Sequence, residues 1–182
     1  GAQAIILVSN ANEAAILIKE VATLPVEQRL PIISHWGVSG GQLPEMSGEA
    51  LNDVDFSVIQ TYSFIGATDP IALNVIAAAK KIFNVESERQ LPSPTGIAHA
   101  YDLTRILALA INQAGSTNRE KIQAALEQIL SYQGLIKNYQ PPFTVSQHEA
   151  LSPDLLFMAA YDKQDHALVR VWPQLSKKHR KK

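Results

Sequence analysis

Three short apolar runs constrain this chain more than any other feature. AIILV at residues 4–8 passes at once into ANEAAILIKEVATL, where Ala14, Leu17, Ile18 and Val21 recur at helical spacing, and LPIIS and DFSVIQTYSF supply two more runs. Each is too short for a helix and reads as a buried strand. Strands alternating with helical segments argue for βαβ units and a right-handed parallel sheet, so the first part of the chain is α/β. In the turn SNANE, Asn10 takes the N-cap position with Glu13 three residues on, a variant of the capping box whose side chains would satisfy the free N–H groups of the first turn.

From Asp69 the character changes to helical. DPIALNVIAAAKKIF opens with Asp-Pro, suited to an N-cap and first helical position, and ends in a Lys-Lys pair that complements the helix dipole. Residues 84–94 read as an exposed linker. TGIAHAYDLTRILALAINQAG predicts a largely buried helix, with His99, Asp102, Arg105 and Asn112 on one stripe and Tyr101, Leu107, Ala108 and Ile111 over the remainder. Gly115 stops it, and Thr117 with Glu120 predicts a second capping box ahead of a helix facing inward through Ile122, Leu126 and Ile129. Past Ser131 the sequence is loop-rich until LLFMAAYD and HALVRVW, which read as a final hairpin.

Composition closes off several functions. The 182 residues are 46% hydrophobic and 18% charged with a net charge of -1, which excludes the broad basic footprint of most nucleic-acid binders. No apolar stretch approaches the roughly 20 residues that span a bilayer, and GAQAIILVSN lacks the pattern of an export signal. The absence of cysteine rules out disulfides, thiolate metal sites and cysteine nucleophiles. The five histidines are scattered without ligand spacing, and neither G-x-G-x-x-G nor a P-loop is present, so no metal or nucleotide cofactor is expected. The KKHRKK run reads as a solvated end.

In open α/β sheets, ligands bind outside the carboxyl ends of the parallel strands. That rule selects Ser9, Asn10 and Ala11 after the first strand, where a helix N-terminus would receive a carboxylate, and His35 and Trp36 after the second, where an indole offers a flat face. Against this, Asn10 could serve only as a cap and Trp36 only as packing. Gly37, Ser39 and Gly41 spell G-x-S-x-G, the pentapeptide of a serine-hydrolase elbow. Ser39 lies several residues past the strand, however, and Gly-Gly-Gln-Leu-Pro delays the helix that an elbow requires. A triad would have to use Asp102 and His148, and Asp102 reads as a surface partner of Arg105.

The strand with SNANEAA, the strand PIISHWG, AHAYDLTRILALAINQAGS followed by TNREKIQAAL, and the loop ending in PPFT together resemble the later part of the periplasmic ligand-binding proteins of branched-chain amino acid ABC transporters. The resemblance implies a two-lobed type I periplasmic binding fold with parallel, Rossmann-like sheets flanked by helices. Residues 1–63 would be a βαβαβ segment of the second lobe, 64–141 a mainly helical segment of the first, 142–172 the return with terminal strands, and 173–182 a disordered tail. The first lobe's opening elements would lie ahead of this chain.

The same resemblance implies a periplasmic protein whose signal peptide lies in that preceding part. It would perform no chemistry, capture an amino acid or an aromatic or organic acid between its lobes, and deliver it to an ABC transporter permease. A sensor domain reporting to a signalling partner is the alternative. Ser9, Asn10, Ala11, His35 and Trp36 would line the cleft, with Tyr62 and Phe64 at the lobe crossing. Asn10 and Trp36 stand where amino-acid binders place a tyrosine and an acidic residue; without the acid, an ammonium group loses its partner. Apolar surface left open on such a chain would favour a homodimer.

Overall fold

The computed structural model describes residues 1–171; Trp172 and the KKHRKK run lie outside the described residues. The three apolar runs become β1 (Ile5–Leu7), β2 (Ile32–Ser34) and β3 (Phe56–Gln60), paired in that order and parallel. The strands are shorter than the runs. DFSVIQTYSF stops pairing at Gln60 because the next N–H, that of Thr61, turns to the Thr95 hydroxyl at 3.2 Å. Between β1 and β2 runs α1 (Ala11–Thr23), which buries Ala14, Ile18 and Val21 at the predicted spacing and Ala15 besides, while Leu17 is only half-buried. Between β2 and β3 come a 3-10 turn at Trp36–Gly40, α2 (Leu43–Ser47) and a second 3-10 stretch.

The chain then leaves the sheet. In α3 (Pro70–Phe83) the Asp69 carboxylate accepts the Ala72 N–H at 2.9 Å, the predicted cap. Residues 84–94 are more ordered than an exposed linker: Ser87 and Gln90 form a reciprocal capping box around Glu88–Gln90, and Leu91 is buried. The next helix, α4 (Pro94–Ala114), is not largely buried. It sinks one stripe, Thr95, Ala98, Asp102, Ile106 and Ala110, while Leu103, Leu107 and Leu109 stay exposed, because α5 (Arg119–Leu126) and the following hairpin cover one side only. The cap of α5 is Asn118 rather than Thr117: the Ser116 hydroxyl takes the Asn118 N–H, and Asn118 in turn accepts from Lys121 N–H, each at 3.2 Å. Within the stretch expected to be loop, β4 (Tyr132–Gln133) and β5 (Asn138–Tyr139) pair antiparallel.

The expected final hairpin forms as β6 (Phe157–Tyr161) and β7 (Leu168–Val171). β6 docks antiparallel on β3, so the sheet runs β1-β2-β3-β6-β7 and is parallel only in its first three strands. Its inner face, with Ile32, Phe56 and Val58, packs on Ile18, Val38 and Leu43. The opposite face carries the register neighbours Ile6 and Ile33, which are 71% and 37% exposed. A second apolar cluster joins Phe64, Val75, Leu91, Ala98 and Leu135, and a third joins Ile106, Ala125, Ile129 and Tyr139.

Candidate functional site

β1, β2 and β3 end at Leu7, Ser34 and Gln60, so Ser9–Ala11, His35–Trp36 and Thr61–Tyr62 follow one another along the carboxyl edge of the sheet. The Ser34 hydroxyl stitches two of these ends together by donating to the Leu7 carbonyl at 2.9 Å. Ser9 donates to the Asn10 carbonyl at 3.1 Å. Asn10 occupies the N-cap of α1, but its exposed side chain makes no capping bond, so the expected Asn10–Glu13 capping box does not form. The amide group is left for other partners, as are the first N–H groups of α1. Ala11 is buried; a Cβ on Gly41 would come within 2.6 Å of the Ala11 Cβ, so Gly41 lets the loop after β2 lie against the helix.

His35 folds back on its own loop, its Nδ1 accepting the Gly37 N–H at 2.9 Å. Any side chain at Gly37 would strike this imidazole. Trp36, 38% exposed, stands edge-on to His35 at 6.0 Å and to His99 at 5.9 Å between ring centroids. Ser39 does not form an elbow. The 3-10 turn begins at Trp36, directly after the strand end, and it buries Ser39, whose hydroxyl donates to the Trp36 carbonyl at 2.6 Å. No nucleophile is presented there.

His99 and Thr61 belong to this edge although sequence reasoning assigned neither to it. The Thr61 hydroxyl and His99 Nε2 lie 2.8 Å apart. Burial pushes the His99 pKa down, against the pull of Asp102. One turn earlier, the buried Thr95 hydroxyl accepts the Thr61 N–H and donates to the Gln60 side-chain Oε1 at 2.7 Å, tying the end of β3 to α4; the Gln60 Nε2 has no partner among the described residues. The spacing of Thr95, His99 and Asp102 on one helical face was the available signal. The sequence alone could not say which strand end that face meets.

Asp102 is not a surface partner of Arg105. It is 1% exposed and accepts the Leu135 N–H at 2.6 Å, the Ile136 N–H at 2.9 Å and the Tyr139 hydroxyl at 2.8 Å. The carboxylate thus clasps the β4–β5 hairpin to α4, with three of its acceptor positions taken by protein donors. Tyr62 packs edge-on against Phe64 at 5.0 Å, and burial with nearby Asp69 and Asp102 pushes its pKa up to about 12. It lines a cavity of about 510 Å³ that Ser9–Ala11, His35 and Trp36 do not border. Among the described residues there is no cluster of histidine, aspartate and glutamate able to hold a metal, and no helix is long and apolar enough to cross a membrane.

No protein-family model matches this sequence, and no curated protein matches it. The fold does have solved counterparts. A periplasmic binding protein type 1 from Bordetella pertussis Tohama I superposes with a TM-score of 0.73 at 21% identity, over 93% of this chain and 46% of its own. A leucine-binding protein from Thermotoga maritima MSB8 gives 0.70 at 19%, over 93% and 44%. A fatty acid ABC transporter substrate-binding protein from Thermomonospora curvata gives 0.66 at 18%, over 92% and 42%. The chain therefore has the α/β fold of type I periplasmic binding proteins and spans less than half the length of these structures.

Proposed function

We propose that this chain, carrying the fold of type I periplasmic binding proteins, captures a small organic acid along the edge formed by Ser9, Asn10, Ala11, His35 and Trp36. Its part would be that of a periplasmic solute-binding protein handing its ligand to an ABC transporter permease, without cofactor or chemistry. Tyr62 would stand at the crossing between a sheet-bearing lobe, residues 1–63 and 142–172, and a helical lobe, residues 64–141. The sheet cluster of Ile18, Ile32 and Phe56, apart from those around Phe64 and Ile106, supports two cores, although Phe143, Ala150 and Leu151 pack with the helical part.

The observation that carries the reading is the open Trp36 indole beside the uncapped start of α1, both at parallel strand ends. The indole offers a face to a flat or apolar body, and the free N–H groups with the Asn10 amide offer donors to a carboxylate. Asp102, the only fully buried carboxylate among the described residues, is spent on the hairpin, so an ammonium group finds no ready counter-charge. This favours aromatic and aliphatic carboxylates over amino acids. The similar structures include a leucine-binding protein and the substrate-binding protein of a fatty acid ABC transporter, a spread wide enough to include such ligands.

The test is a thermal-shift and tryptophan-fluorescence screen of this chain against benzoate, phenylacetate, hexanoate and leucine. A ligand at about 100 times its Kd stabilises the fold by about 2.7 kcal/mol, a readily measured shift. Carboxylates should raise the melting temperature and quench Trp36, and Trp36→Ala should abolish both effects. A response to leucine alone would restore the amino acid reading; no response to any compound would remove the binding proposal.

A further inference from the structure

His99 faces two ways. Its Nε2 lies 2.8 Å from the Thr61 hydroxyl and its ring stands edge-on to Trp36, yet His99 also lines a separate cavity of about 190 Å³. None of Ser9, Asn10, Ala11, His35 and Trp36 borders that cavity. It opens between α4 and the chain that follows the β4–β5 hairpin. Buried Ile106 and Tyr139 lie at its base, Phe143 and Leu151 pack against them as walls, and Leu103, 52% exposed, stands with His148 at the mouth. A dry cavity of about 150 Å³ accommodates a benzene ring, so this one is sized for a single ring with a small substituent rather than for a larger ligand.

The polar groups along the lining are turned to protein partners. Asp102 accepts from the Leu135 N–H, the Ile136 N–H and the Tyr139 hydroxyl, so neither the carboxylate nor the phenol calls for a charged guest. At the mouth, His148 Nε2 faces Glu127 Oε1 at 3.8 Å. Burial lowers the His99 pKa, so its imidazole is uncharged at neutral pH. An anionic guest would be brought beside the buried Asp102 carboxylate, and a cationic one would give up water for a carboxylate already shared among three donors. An uncharged ring incurs neither cost and gains by covering Ile106, Phe143 and Leu151.

We propose that this cavity is a second small-molecule site, separate from the Trp36 edge, that takes an uncharged single-ring aromatic compound. The ring lies between Phe143 and Leu151 over Ile106, and a small polar substituent points out past Leu103 and His148 to water. Because none of the residues from Ser9 to Trp36 takes part, failure of the carboxylate reading at that edge leaves this site standing, and the reverse holds as well.

The experiment follows backbone amide resonances of the whole chain while 4-methylphenol, 4-methylbenzoate and 4-methylbenzylamine are titrated separately. 4-Methylphenol should move the signals of Ile106, Ile136, Phe143 and Leu151, and each charged analogue should bind there roughly tenfold more weakly. Ala150→Met fills the cavity, and Leu103→Glu sets a charge at its mouth on a side chain that the fold leaves half outside. Each should remove the shifts while the remaining spectrum stays that of the folded chain, and Trp36→Ala should leave the shifts unchanged. The proposal is overturned if nothing moves at roughly 20 mM, well above a millimolar Kd, or if the moving signals belong to Ser9–Trp36. It is overturned equally if a charged analogue binds the cavity as tightly, if folded Leu103→Glu binds undiminished, or if Trp36→Ala removes the shifts.

Discussion

Asp102 shows how much one residue can decide. Asp102→Ala would strand two backbone N–H groups and the Tyr139 hydroxyl in a buried position, at about 1–3 kcal/mol for each unsatisfied group, so a loss of about 3 kcal/mol or more is expected in urea unfolding. The two helix starts predict a contrast. Asp69→Ala removes a capping bond and should cost about 1 kcal/mol, whereas Asn10→Ala removes none and should stay within about 0.5 kcal/mol. If both cost the same, Asn10 caps after all. His99 binds a proton less readily in the fold than in the unfolded chain, so its contribution is complete above the ordinary histidine range and is lost as pH falls below it. His99→Gln should flatten that part of a stability-against-pH curve. At this scale the sequence was least legible. The i,i+3 neighbour Arg105 suggested a surface pair for Asp102, because the donors that claim the carboxylate come from a hairpin 33 residues away.

Among the elements, local signals held for the buried face of α1, the Asp69 cap and the terminal hairpin, but not for the equally local capping boxes at Asn10–Glu13 and Thr117–Glu120. They also failed where a distant partner decides, as in the two-residue strands β4 and β5 and the single covered stripe of α4. The segment at Glu88–Gln90 is one such case. Arg89 grips Asp165 of the β6–β7 turn through two bonds, one of them 2.9 Å, with Asp162 at 3.7 Å. Arg89 pulls the Asp165 carboxyl down to about 2, below its ordinary 3.8. The stabilising contribution is therefore present above about pH 4 and fades as pH falls towards 2. Because the pair is exposed, Asp165→Asn should leave the neutral-pH unfolding midpoint nearly unchanged. Hydrogen exchange at Glu88–Leu91 should speed, and the acid response of that segment should vanish. Unchanged exchange would mean that the pair does not hold the segment.

For the molecule as a whole, alternation of apolar runs and helical periodicity was enough to read an α/β fold with a parallel sheet, and the superposed structures bear that out. The antiparallel docking of β6 was not readable, since nothing near LLFMAAYD indicates which strand receives it. β1 is an edge strand with Ile6 71% exposed beside Ile33, a surface that invites pairing with another copy. Sedimentation velocity should show association rising with concentration, and Ile6→Glu should suppress it; a monomer throughout would refute this.

The route of the chain has a mechanical consequence. It departs from the sheet after Gln60 and re-enters at Phe157, and these two residues are direct register partners. Both connections to the helical part are thus anchored side by side, like a door hung on two adjacent pins. Strands are spaced by about 4.8 Å, so if one part rocked on the other about this pair, Thr61 would lie nearest the axis, the Trp36 edge about 5 Å from it and the start of α1 about 10 Å, the point that would travel farthest.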